Sequence, residues 1–216
     1  EPLSPRNEVL FVVEHHDQGW VPFDADPRID PETGLPYHLT DTPREIAIQT
    51  GDASADFNAA HHPYSGLLSS MHIWGLYNGR YGCSDQMLLG LIPEAWRPSY
   101  RAMLDGHLAR QEKLRDAVAR DPATARWIDE AHLFQNYKQL QFFDTLGLYF
   151  HCAHDAARGD ASFGHVPKSA TEDATVAVRR VDVGVDAFDP YPWCEDDLTL
   201  PFEGRYMAPV PDPARP

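Results

Sequence analysis

One long helical pattern over residues 123–157 most constrains what this chain can fold into. Trp127, Ile128, Leu133, Leu140, Phe143, Leu146 and Phe150 fall on its apolar positions, after the break at Asp121-Pro122. Asp144 lies within this run, nearly surrounded by apolar residues. A carboxylate buried there must be paired, metal-bound or neutralised, because its lost hydration is otherwise uncompensated. Other segments also read as helices. Ser4-Pro5 opens one that carries the apolar run Val9-Leu10-Phe11-Val12-Val13 to about Asp17. Thr42-Pro43-Arg44-Glu45 reads as a capping box for a short helix to about Gly51. Leu67, Leu68, Met71 and Leu76 recur at helical spacing between Pro63 and Tyr77, which Gly79 to Gly82 should end. Residues 99–120 read as a charged, solvated outer helix. Residues 21–42 are rich in Pro, Asp and Gly and read as a long loop, which in a compact domain is often functional.

The expected fold is therefore mainly α. After Gly159 the texture changes: residues 175–178 and 181–185 alternate like strands, and prolines punctuate the tail. The expected organisation is a helical metal-binding domain over residues 1–165, with a β or extended tail over 166–216 packed on it.

Charge narrows the partners. Lys and Arg number 18 against 33 Asp and Glu, a net of −15, which disfavours a nucleic-acid backbone as partner. No apolar run is long enough for a membrane span, and no leader is expected. Cys83, Cys152 and Cys194 are scattered and expected free, in a reducing cytoplasmic setting. A small-molecule substrate is the partner expected, with a homodimer allowed. Phosphate-binding loops, nucleophilic serine elbows and calcium loops all fail on spacing.

Three constellations could carry chemistry. His15-His16-Asp17 offers nitrogen and oxygen ligands suited to zinc, manganese or iron(II). Neighbouring helical residues point about 100° apart, so one ion is gripped only where the helix ends, and Gly19 is expected to supply that end. The plainer alternative is a His and an Asp capping their own helix. His72 sits on an apolar helix with His61-His62 upstream; the plainer alternative is a hydrogen-bonded core histidine. Asp144 has His151 two turns on along the same face, and could simply tie helices together.

Several segments resemble one family. They are the run Val12-Val13-Glu14-His15-His16-Asp17-Gln18-Gly19-Trp20, then Pro27 to Pro36, Tyr64-Ser65-Gly66-Leu67-Leu68-Ser69-Ser70-Met71-His72, Leu140-Gln141-Phe142-Phe143-Asp144-Thr145-Leu146, and Pro190-Tyr191-Pro192-Trp193. Together they are similar to the signatures of domain-of-unknown-function family 3891, whose layout resembles the HD superfamily of helical metalloenzymes. That resemblance implies an HD-like helical bundle. It also implies one or two divalent transition-metal ions (Fe, Mn or Zn) held by His16, Asp17, His72 and Asp144. The superfamily carries a further His before the pair, and this chain has none before His15. Upstream residues, His15, His61 or His62 would fill that place, or the site is degenerate.

The resemblance implies a metal-dependent hydrolase of a phosphate ester. His61 and His62 are then the candidate proton donors, and Trp20, Tyr64 and Gln141 are expected to line the substrate pocket. Arg80 and Lys138 are the nearby cations that could hold phosphate. The alternatives are a di-iron oxygenase on the same scaffold and a non-catalytic binding protein.

Overall fold

The computed structural model describes residues 4–38, 41–152, 157–195 and 198–201. Among these the chain forms α1 (Arg6–His15), α2 (Val21–Ala25), α3 (Arg44–His61), α4 (Pro63–Tyr77), α5 (Arg97–Arg120) and α6 (Glu130–His151). An antiparallel sheet follows: β1 (Ala161–Pro167), β2 (Asp173–Asp182) and β3 (Val185–Asp189). No described helix is long and apolar enough to cross a membrane.

Helix α4 is the central element. Pro63 starts it without leaving a donor unpaired, and His62 caps it by accepting from the Tyr64 amide. Tyr64 through Ile73 are all buried, which requires neighbours on every side. Val9 and Val12 of α1 and Leu133, Tyr137 and Leu140 of α6 close over Tyr64, Leu67, Leu68 and Met71. Burying side chains of this kind contributes roughly 1.5–3 kcal/mol each. On the faces where helices come closest, α4 presents small residues. A Cβ on Gly66 would lie 2.5 Å from the Ala59 Cβ of α3. The buried serines there are satisfied: Ser65 Oγ donates to the Glu8 carbonyl at 2.9 Å, and Ser70 Oγ lies 3.0 Å from His107 Nδ1.

Several expected bounds change. The helix opened near Thr42 does not stop at Gly51 but runs to His61, because Gly51 serves close packing, its notional Cβ 3.3 Å from Ile73 Cγ2. Its N-cap is Pro43, with no side-chain capping bond; Thr42 Oγ1 instead donates to the His38 carbonyl. Residues 21–25 form α2 rather than loop. The α5 helix is not merely an outer layer, since Tyr100, Met103, Leu104, His107 and Gln111 bury their side chains. The long helical pattern begins only at Glu130, after a 3-10 turn at Ala125–Ile128.

The sheet has order β1-β2-β3 and is larger than the two short strands expected. It begins at Ala161, ahead of residue 166, and β1 is bulged between Phe163 and Val166. Val166 and Val176 pack on Phe142 and Leu146 of α6, so the sheet is seated on the helix that carries Asp144.

Candidate metal centre

Helix α1 ends at His15, and His16-Asp17 occupies the turn that follows. Two contacts fix that turn. Asn58 Nδ2 of α3 donates to the His15 carbonyl at 2.8 Å, and the Gly19 amide donates to Ser54 Oγ at 2.9 Å. Gly19 is needed for close approach: a Cβ there would lie 2.1 Å from the Thr50 carbonyl oxygen. The helix end thus aims His16 inward, toward His72 on α4 and Asp144 on α6.

His16, His72 and Asp144 converge, each offering a ligand atom within 4.8 Å of the others. His16 Nε2 is 3.6 Å from Asp144 Oδ1 and 3.4 Å from Asp17 Oδ2. The His16 and His72 rings meet nearly at right angles, centroids 5.1 Å apart. Asp17 stands at the rim, its side chain 61% exposed against 9% for Asp144. Four residues expected as ligands are therefore together, three as a largely buried cluster and one beside it.

The charges around the cluster are strongly perturbed. Burial opposes the cationic form of His16, but the Asp144 and Asp17 carboxylates outweigh it and hold its pKa at about 9. Burial would raise Asp144; His16, His72 and Arg80 instead hold it at about 2. His72 is fully buried, and burial drives it to about 4, leaving a neutral imidazole. Arg80 Nη2 is 3.2 Å from Asp144 Oδ2, an oxygen that is buried and makes no hydrogen bond.

The donor set fits a divalent ion. Two imidazoles and a carboxylate are a common first-row transition-metal set. Both rings are held by their outer nitrogens, as ligating histidines usually are. His16 Nδ1 donates to the Val13 carbonyl at 2.9 Å, so Nε2 is the nitrogen that faces the carboxylates, and an ion displacing its proton would find the lone pair aimed at the cluster. The Gln141 amide lies 2.8 Å from His72 Nδ1, while Gln141 Oε1 is buried without a partner. Turning that amide over lets Oε1 accept from Nδ1–H and leaves the inner nitrogen of His72 free to ligate. The oxygen and nitrogen of a side-chain amide are assigned by such networks, and only this orientation satisfies Oε1.

Two cavities flank the cluster. One, of about 430 Å3, is bordered by Asp17 with Glu14, Asp24, Trp20 and Tyr37. The other, of about 350 Å3, lies between the α4–α5 connection, α6 and β1, and is bordered by Arg80, Lys138 and Gln141. The residues expected to line a pocket divide accordingly: Trp20 borders the first and Gln141 the second. Tyr64 is a core residue whose hydroxyl accepts from Asn136 Nδ2 at 2.7 Å.

The other histidines lie elsewhere. His61 stacks on Phe11, and His62 caps α4 and faces Trp127. That places His62, the N-cap of α4, ten residues before His72, about 15 Å along the helix axis, with His61 ahead of it at the end of α3. His15 Nδ1 faces Gln18 Oε1 at 3.2 Å, and His151 Nδ1 lies 2.9 Å from the Gly147 carbonyl rather than on Asp144. The β1 residues beside the second cavity, Ser162 to His165, escaped the sequence reading; a glycine inside a strand pattern, Gly164, is the signal that marks a bulge there.

No curated protein and no solved structure matches this chain. A family model described as a protein of unknown function, DUF3891, matches residues 1–208. With nearly its whole length accounted for by that one model, the chain belongs to the DUF3891 family.

Proposed function

We propose that this chain is a metal-dependent hydrolase of a phosphate ester, on a layout resembling the HD superfamily. The observation that supports this reading is the convergence of His16, His72 and Asp144 beside Arg80. Once the ion displaces the His16 proton to solvent, two neutral imidazoles and two carboxylates, Asp144 and Asp17, carry a charge that a divalent ion cancels. Arg80 then leaves the centre one unit positive, which favours an anionic substrate.

His16, His72 and Asp144 would hold a divalent ion, which would supply a Lewis acid for a phosphoryl oxygen and for a bound water. The chain's own residues do the rest. Asp17, exposed at the rim, accepts a hydrogen bond from the attacking water and orients it. Arg80, released from part of the Asp144 charge by the ion, holds a substrate oxygen. His61, at the end of α3, and His62, at the start of α4, lie too far from this centre to protonate a leaving group without a rearrangement, so a water at the rim is the simpler donor.

The test is metal analysis of the purified protein with hydrolysis of an aryl phosphate. Stoichiometric zinc or manganese with chelator-sensitive hydrolysis supports the reading. No stoichiometric metal, together with a melting temperature unchanged by chelator, overturns it and leaves a non-catalytic binding protein.

The two-His, one-carboxylate donor set favours a second reading, a non-haem iron oxygenase. Stoichiometric iron and substrate-dependent oxygen consumption, without phosphatase activity, would decide for it.

A further inference from the structure

The cavity between the α4–α5 connection, α6 and β1 brings basic and polar groups together beside the metal cluster. Arg80, Lys138 and His165 bring cationic or basic side chains to it from three separate elements. Asp173 is the carboxylate facing two of them, 2.6 Å from Lys138 Nζ and 3.7 Å from His165 Nδ1. Arg80 and His165 are both non-glycine residues held at positive φ, 50° and 56°. Such backbone is unfavourable by about 1–3 kcal/mol and persists where surrounding structure enforces it, often at ligand sites. Here it delivers two basic side chains to one cavity.

Gln141 adds an independent sign. The residue is 6% exposed and borders the cavity, and one end of its amide has no partner. With Oε1 on His72 Nδ1–H, the unpartnered end is the amide nitrogen, a donor. Thr145 and Ser162 add hydroxyls, so the wall is mostly polar. At about 350 Å3 the cavity is near the small end of ligand sites.

We propose that this cavity is the substrate pocket and that it takes a small hydroxylated phosphate monoester, its phosphate between Arg80 and Lys138 and its hydroxyls on Gln141, Thr145 and Ser162. The link to catalysis rests on the hydrolase reading. Arg80 is neutralised by Asp144 until an ion takes up that carboxylate's charge. Filling the metal centre therefore frees Arg80 for an anion, and the two ligands bind with reciprocal coupling.

Glycerol 3-phosphate, inorganic phosphate and glycerol are suitable probes, with binding followed by calorimetry. Chelated Asp144→Asn protein frees Arg80 with no metal present. It should bind glycerol 3-phosphate about tenfold more tightly than chelated wild type, the effect of one partly screened charge near 1.4 kcal/mol. Adding Ser162→Trp, an exposed position, or Lys138→Gln should weaken binding at least about tenfold, with melting curves confirming a folded chain. Glycerol alone should not bind.

Equal affinity in chelated wild type and Asp144→Asn, or affinity untouched by both Ser162→Trp and Lys138→Gln, would overturn the pocket. Inorganic phosphate binding as tightly as glycerol 3-phosphate would overturn the hydroxylated class. These arms need no turnover. A correct binding pattern without hydrolysis by metal-loaded protein sinks the hydrolase reading alone, and hydrolysis without the pattern sinks the pocket alone.

Discussion

If His16, His72 and Asp144 hold an ion, folding stability must depend on that ion. Their ligand atoms span up to 4.8 Å, whereas bonds of about 2.0–2.1 Å place neighbouring ligand atoms about 3.3 Å apart. Closing the set thus requires side-chain shifts of at most about 1.5 Å, within reach of rotamer adjustment. An ion that binds only the folded chain, at a hundredfold over its Kd, adds about 2.7 kcal/mol. In a chain of this length each kcal/mol moves the melting temperature by about 2–4 °C, so the expected rise is about 5–11 °C. Asp144→Asn keeps the shape and removes the charge. It should abolish that rise, and should lower the metal-free melting temperature by about 6–12 °C, because Arg80 loses a largely buried partner at a cost of about 3 kcal/mol. Asp17→Asn should keep part of the rise, since its carboxylate is largely exposed. Scanning fluorimetry with Mn2+, Zn2+ and Fe2+ against chelator, beside elemental analysis, reads all three. A wild-type rise that persists undiminished in Asp144→Asn would refute the ligand assignment, and no wild-type rise with any of the ions would refute the centre.

Gln141→Leu should lower metal affinity about 10–100-fold through loss of the His72 orientation, while Gln141→Glu, which still accepts from Nδ1–H, should retain more; equal losses in a competition titration would count against the orienting role. Burial of His107 between Ser70 of α4 and Asp52 of α3, aided by Arg110 and opposed by Asp56, holds its pKa at about 4, below the unfolded 6.5. The neutral ring's contribution is complete above pH 6.5 and falls by about 3 kcal/mol as the pH drops toward 4, so the wild-type stability profile should be steeper there than that of His107→Gln; parallel profiles would refute the assignment. Gly66→Ala should destabilise by about 1–3 kcal/mol, because the added Cβ meets Ala59 at 2.5 Å, and an unchanged urea midpoint would contradict that packing.

How legible each part was in the sequence follows from how local its cause is. Helix α4 was readable end to end, since Pro63 and the glycines after Tyr77 act within a turn of the boundaries they set. The α3 helix outruns the stop that Gly51 suggests, because that glycine answers to Ile73, a contact across helices. The β1 strand was missed because its bulge breaks the alternation that marks a strand. In the centre, Asp144 and His72 could be singled out by one physical argument, a polar group in an apolar run needs a partner, but that argument cannot say which partner. Resemblance paired them with His16. The structure supplies the reason for His16 over His15: the helix ends between them, so the His15 carbonyl is tied to Asn58 while the next ring swings inward with its Nδ1 on Val13. His61-His62 attracted attention by composition alone, and a capping bond with two aromatic contacts accounts for both. The histidines that matter here are distinguished by what holds the far nitrogen of each ring, a property no spacing rule can show. That is why Gln141, rather than any further histidine, is the residue whose replacement most directly tests the centre.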